Sequence, residues 1–511
     1  MKISNLFALV LLLAAVLFGV MADVLMRDAR LGVNLPLLVA AFLGIAFVVS
    51  RRSPIPLTGG GRWLAVPVLL LAAVFAVRDA GLLLFSCVLL GLGLMGAGMM
   101  RARHGQIRVT GIVSLAVDAI IAGVMLAIGG FWVMLFNRPW QGENLRGSRA
   151  VSRVALGVVM SIPLLVVFGA LFASADATFG RMVRDFFRLD TFFQHLPAIL
   201  IWAWLGAGAL HTIFSADPLI EGSFKPTGGA HFVEAATVLG LMNILFAVFV
   251  VLQFPYFFSL TPIGATPGLD PYADYARRGF FELVAVAVLL LPVLLMADWM
   301  TESDTPAHRR IAHLLSLILA AQMGVIMVSA FQRMALYTRQ FGLTEMRFYT
   351  TAFMIGLGLL FIWLALTVLR NRRQKFAFGA LACAVAVILA LAAINPDYQI
   401  ARYNLAQSGV VVPGSGADAS TGETRRAVDT AYIATLSADA VPAILEALPK
   451  LEETQRCALT SRLMAQWVNA APRSDDWRSF NLSRASALAM TREWTPYLRS
   501  VFEGCPAKPS R

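Results

Sequence analysis

Residues 272–296 read YADYARRGFFELVAVAVLLLPVLLM. Two tyrosines, an acid, two arginines and a glutamate lead straight into an apolar run. A helix crossing the roughly 30 Å hydrocarbon core needs about 20 apolar residues, and aromatic and basic side chains anchor its ends at headgroup level. The whole chain shares this bias: of 511 residues 58% are hydrophobic and 14% charged, with a mean hydropathy of +0.73. Soluble domains hold about 45–50% apolar and about 25% charged residues. The fold class read from this is all-α, a polytopic membrane bundle with a small helical C-terminal soluble module.

Counting apolar runs outward from 280–299 gives about twelve spans. The earlier ones cover 6–25, 31–50, 63–77, 81–100, 111–136, 154–173, 196–214 and 232–257. Those that follow cover 311–332, 348–369 and 376–394. The first could pass for a signal peptide cleaved after Ala22, but its apolar run continues to Met26, which favours a retained span. The domains expected are a transmembrane domain over 1–395, a linker over 396–425, of which 406–424 is rich in Gly, Ser and Thr, and a soluble helical tail over 426–511. Within the tail, TLSADAVPAILEAL (435–448) reads as a helix start with Ser437 as N-cap and Asp439 in the first turn.

The net charge of +12 resides in short loops between apolar runs, so it orients the chain against anionic lipid, and nucleic acid is excluded as a partner. No cofactor is expected, and no metal: His211, His308 and His313 form no ligand cluster and the four cysteines have no metal spacing. Cys457 and Cys505 can pair only if the tail faces an oxidising compartment. The two sets of alternate loops carry equal numbers of Lys and Arg. The dense clusters NRPWQGENLRGSRAVSR (137–153) and RNRRQK (370–375) favour a cytoplasmic side for the loops after odd-numbered spans. That places the tail outside the cytoplasm.

Parity puts the loops after spans six, eight and ten on the face of the tail. The candidate ligand-binding residues on that face are Asp176, Arg278, Glu282, Arg333, Tyr337, Arg347, Asn395, Asp397 and Arg402. Asp274, Arg278 and Glu282 fall at i, i+4 and i+8, one ladder on a helix face. A cluster of Arg278, Arg333 and Arg347 would outweigh the acids Asp176, Glu282 and Asp397 and attract an anion, such as a lipid phosphate or carboxylate, through the guanidinium fork. The bland reading of the same residues is interfacial anchoring. Within the spans, Asp118 lies beside the small residues Ala119, Gly123 and Ala127, and Gln322 shares a helical stripe with Ser329, Arg333 and Tyr337. Polar groups at such depth face protein or water rather than lipid.

The segments ADATF (175–179), YARRGFFEL (275–283), ALYTRQFGLTEMRFY (335–349), NPDYQIARYNL (395–405) and TLSADAVP (435–442) occur in that order. The chain resembles, over roughly residues 150–450, a bacterial family of polytopic membrane proteins known only as a domain of unknown function. The resemblance implies a bacterial envelope protein with many spans and brings with it no established activity, cofactor or catalytic residue; the localisation expected is the inner membrane.

Three function classes follow. A non-enzymatic envelope sensor, scaffold or interaction protein, whose tail and polar threshold bind a protein partner, accounts for the tail and the lack of catalytic motifs. A secondary transporter of a small or anionic solute agrees with the span number, although the sequence has no internal repeat. An enzyme acting on a lipid-linked substrate would have to use Asp23 and Asp28 at the end of span one, on the face opposite the threshold motifs.

Overall fold

Hydrocarbon offers backbone groups no partner, so each apolar run closes its own hydrogen bonds as a helix. The computed structural model describes residues 5–53, 56–105, 107, 111–136, parts of 161–182, 191–216, 231–258, 280–302, 304–407, 429–469 and 476–505. Eleven helices among the described residues are long and apolar enough to span. They are α1 (Asn5–Met26), α2 (Asn34–Arg52), α3 (Ala65–Val77, entered through a 3-10 turn), α4 (Gly81–Met100), α5 (Ile112–Phe136), α6 (Thr191–Ser215), α7 (Phe232–Phe258), α8 (Phe280–Met300), α9 (Pro306–Phe341), α10 (Glu345–Thr367) and α11 (Phe376–Ile394). Eleven of the twelve sequence spans have these counterparts; most of the remaining one, 154–173, lies outside the described residues.

Long-range contacts fix which helix ends share a face. The Asp23 carboxylate at the end of α1 meets His195 Nδ1 at the start of α6 at 2.5 Å, and Arg27 Nη2 donates to Gln194 O at 2.6 Å. Trp204 of α6 donates to Ala127 O of α5 at 2.9 Å, while Gly208 packs on Leu126, so α5 and α6 run antiparallel. Thus α5 ends and α6 begins on the face where α1 ends, whereas the sequence parity assumed an odd number of crossings between them. On the other face His308 of α9 stacks on Phe232 of α7 at 4.2 Å, and Arg373 Nη1 donates to Glu302 Oε2 at 3.1 Å. The parity argument is corrected accordingly: the loops after α1 and α3 share a face with the α9–α10 loop and the end of α11. Asp23 and Asp28 therefore lie on the face of the threshold motifs, not opposite it.

Three apolar cores run through the bundle. One joins α1, α2 and α6 around Leu11, Phe18, Phe42 and Phe214. The second joins α3 and α4 to α11 around Leu71, Leu83 and Leu391, and the third joins α7 to α11 around Leu239, Leu294, Met323 and Leu364. Close approach depends on small residues: a Cβ on Gly19 would stand 2.5 Å from Ile199 O, and one on Gly96 would stand 2.9 Å from Ala119 Cα. The 36 residues of α9 extend about 54 Å at 1.5 Å per residue, well beyond the membrane thickness.

Residues 396–407, inside the bounds set for the linker, form α12 (Pro396–Gln407). Its Ala401 and Leu405 share a core with Ile433 of α13 (Thr430–Ile433), Ile444 of α14 (Val441–Ala447), Leu459 of α15 (Glu453–Leu463) and Ala487 and Leu498 of α16 (Leu482–Gly504). A disulfide joins Cys457 of α15 to Cys505 just after α16, with 5.7 Å between Cα atoms. These C-terminal helices sit over the shared face. Cysteine substitutions at 30 and 344 should therefore react with an impermeant maleimide from the same side of sealed vesicles, and those at 104 and 371 from the other. A mixed pattern within either pair would break this topology.

Candidate functional site

The turn Arg78-Asp79-Ala80 joins α3 to α4, and each helix end there leaves backbone groups without intrahelical partners. The C-terminal helices supply them. The fully buried Asp439 carboxylate accepts from Asp79 N at 2.7 Å and Ala80 N at 3.1 Å through Oδ2, capping α4 from a segment some 360 residues away. Its Oδ1 takes Arg78 Nη1 at 3.4 Å and a short contact with Ser483 Oγ. That hydroxyl also lies 2.8 Å from Val77 O, and Asn481 Nδ2 donates to both Phe75 O and Arg78 O at 2.8 Å, closing the end of α3. Arg78 reaches the other way and donates through Nε to Ala392 O at 2.6 Å, capping α11 just before its left-handed terminator Asn395 (φ 62°). Arg484 Nη1 pairs with Asp79 Oδ1 at 3.0 Å while its Nη2 donates to Leu31 O at 2.6 Å.

A second line of contacts connects α12 and α13 to the α9–α10 loop. Ser437 caps the turn that carries Asp439 and donates its N–H to Asp397 Oδ2 at 3.0 Å. Asn404 exchanges two hydrogen bonds with Leu343, accepting from N at 2.8 Å and donating to O at 2.7 Å. Tyr432 Oη accepts from Glu345 N at 2.7 Å, and burial pushes its hydroxyl up to about 12. Burial likewise raises Asp397, opposed by the Ser437 hydrogen bonds and reinforced by Asp439 and Asp79; its Oδ1 is buried without a hydrogen-bond partner. Asp79 is also raised, by burial first, against the opposing Arg484 and with Asp439 adding. The joint thus sets Asp439 and Asp397 against backbone donors, with Asp79 and Glu345 close by.

The residues singled out from sequence lie in several places. Asp397 and Asn395 belong to the joint. Arg347 sits at its edge, 4.0 Å over the Tyr337 ring, and donates to Phe341 O at 3.1 Å and to Gly342 O, which folds the α9–α10 loop back on itself. Arg402, half-buried on α12, has its Nε buried without a hydrogen-bond partner, and Arg333 is half-buried on α9. Glu282 is exposed in the first turn of α8; Asp176 is exposed and accepts from Thr178 N and Phe179 N. Arg278 lies outside the described residues. Charge around Asp397 is acidic, from Asp439, Asp79 and Glu345. Gln322 is half-buried in α9 with Oε1 lacking a hydrogen-bond partner. Asp118 is wholly buried and its Oδ2 meets Arg101 Nε at 2.5 Å. Among the described residues no group of three metal-ligating side chains converges.

Sequence reading missed Arg78, Asn481, Ser483 and Arg484, and took Asp439 only as a first-turn acid. The TLSADAVP motif was legible, but the partner of its aspartate was not.

Two outcomes test these assignments. Asp439→Ala leaves several buried donors unmet at about 1–3 kcal/mol each, so limited proteolysis should release the C-terminal helices. Asp397→Asn keeps an acceptor for Ser437 N and should leave docking intact at neutral pH. Because the Asp397 carboxyl is raised in the folded state, its contribution is full below its ordinary value and fades as pH rises through the raised one. Protease resistance should fall over that interval in the native chain and vary less in Asp397→Asn. Arg101→Ala, which strands a buried carboxylate, should cost about 3–5 kcal/mol, and adding Asp118→Leu should recover most of the lost thermal stability.

A protein family described as a domain of unknown function (DUF4153) matches residues 65–447, a range that holds Arg78, Asp397 and Asp439 and ends before Asn481. No curated protein and no solved structure matches the chain. With a match over most of its length, this multi-pass, all-helical chain belongs to the DUF4153 family.

Proposed function

We propose that the protein is a non-enzymatic sensor or scaffold of the bacterial inner membrane whose C-terminal helices present an interaction surface from the extracytoplasmic side. The observation that carries this reading is the trans-cap of α4 by Asp439, because it makes the position of the C-terminal helices depend on the ends of α3, α4 and α11. A change in how those helices pack would be felt by the docked module, and the reverse. The side is supported by the Cys457–Cys505 disulfide, which persists in oxidising compartments, and by RNRRQK (370–375) on the opposite face. The other basic cluster, 137–153, follows α5, whose end lies on the tail's face, so the two clusters no longer point to one side and the disulfide is the stronger support. Transport would need a polar group open to an aqueous path, whereas Asp118 is held by Arg101. Of the two acids of the enzyme reading, Asp23 is engaged by Arg27 at 2.8 Å and by His195, which leaves the exposed Asp28.

The test uses a photo-reactive amino acid at Arg492 or Arg499, on the exposed side of α16, in intact cells. A discrete adduct that is lost or changed by Asp439→Ala supports signalling through docking. No adduct, together with solute-driven flux in reconstituted vesicles that Asp439→Ala leaves unaltered, overturns it in favour of transport.

A further inference from the structure

From α12 to the end of α16 the described residues leave four large apolar side chains exposed: Trp477 at 61%, Phe480 at 50%, Leu482 at 53% and Phe502 at 44%. Single exposed apolar residues are ordinary on a soluble surface. Three of these, however, fall within six consecutive positions, and backbone contacts fix that segment at the end of the first two spans. Arg478 Nη1 donates to Val24 O, Arg30 N donates to Ser479 Oγ at 2.9 Å, and Val33 N donates to Phe480 O at 2.8 Å. The apolar span of α1 ends at Met26 and that of α2 begins at Asn34, so 477–482 lies at the level where hydrocarbon gives way to headgroups. Beside it, Val24 and Leu31 are also exposed, which continues the lipid-facing surface of α1 toward the segment.

We infer that Trp477, Phe480 and Leu482 insert into the bilayer interface and anchor the C-terminal module to lipid, in addition to its docking on the protein. Tryptophan suits this level because its ring is apolar and its N–H is polar, and the exposed Arg30 next to the segment can meet lipid phosphate. Further along the exposed side of α16 the character changes: Arg492, Glu493, Arg499 and Glu503 are exposed there, as befits a surface turned to water. The occupant that fits the apolar edge is therefore the membrane that already surrounds α1 and α2.

Nitroxide labels on full-length protein in phosphatidylethanolamine–phosphatidylglycerol vesicles test this, with Cys87 and Cys383 replaced by Ala and the disulfide left intact. Labels are placed singly at Trp477→Cys, Leu482→Cys and, as the aqueous reference, Glu493→Cys. The expected result is an oxygen-to-nickel-chelate accessibility ratio severalfold higher at 477 and 482 than at 493. Nickel access at 477 and 482 equal to that at 493 would place the segment in water and overturn the proposal. Exclusion of both reagents would place it against protein, a second copy or another partner, and would overturn it equally. The label at 482 leaves Trp477 in place, so local disruption at one site is recognised from the other.

Discussion

The buried carboxylate of Asp439 is the constraint from which the arrangement of this protein follows. A carboxylate out of water is costly unless its lone pairs find donors, and three of the donors here, Arg78 Nη1, Asp79 N and Ala80 N, belong to the turn between α3 and α4. The position of the C-terminal helices is thereby tied to two membrane helices, and through Arg78 to the end of a third. Helix termini normally turn to their own side chains or to water. Here they are completed by another part of the chain, so bundle and C-terminal module share hydrogen bonds that neither can replace.

Other ionisable groups of the bundle are engaged across helices as well. Asp23 meets Arg27 and His195, Asp118 meets Arg101, and Asp298 meets His313 at 3.0 Å, while Asp118 Oδ1 and Asp298 Oδ2 stay without a hydrogen-bond partner. Charge is too expensive to leave facing hydrocarbon, so it is placed where it also fixes helix partners. The polar threshold that stands out in the sequence is in this sense structural at several points. Arg347 ties the loop Phe341–Gly342 and covers Tyr337, and Asn395 ends α11.

Some of these contacts have a signature in the amino-acid sequence. The motif TLSADAVP advertises a capped helix start, and Ser437 caps the turn as its residue type requires. NPDYQIARYNL is legible as unusual, but not that its Asp397 stands within the field of Asp439 and Asp79. Arg78 and Asp79 look like the ordinary charges of a short loop. Asn481 and Ser483 look like residues of a solvated surface, because their partners lie some 400 residues away and no local pattern encodes such a distance.

The sequence by itself determined the solvent and the class of structure. Apolar runs of about 20 residues admit only spanning helices, since a backbone in lipid must satisfy itself. It also determined where the runs stop, because charged residues such as Arg78 and Asp79 end them. Tertiary structure alone decided which ends share a face. Parity counting fails once the chain between two helices returns to the side it left, and only contacts such as Asp23 with His195 reveal that. It also decided that Asp439 of the C-terminal helices meets two N–H groups of the α3–α4 turn, because a helix end presents several such groups at a fixed spacing and the module holds the carboxylate against them.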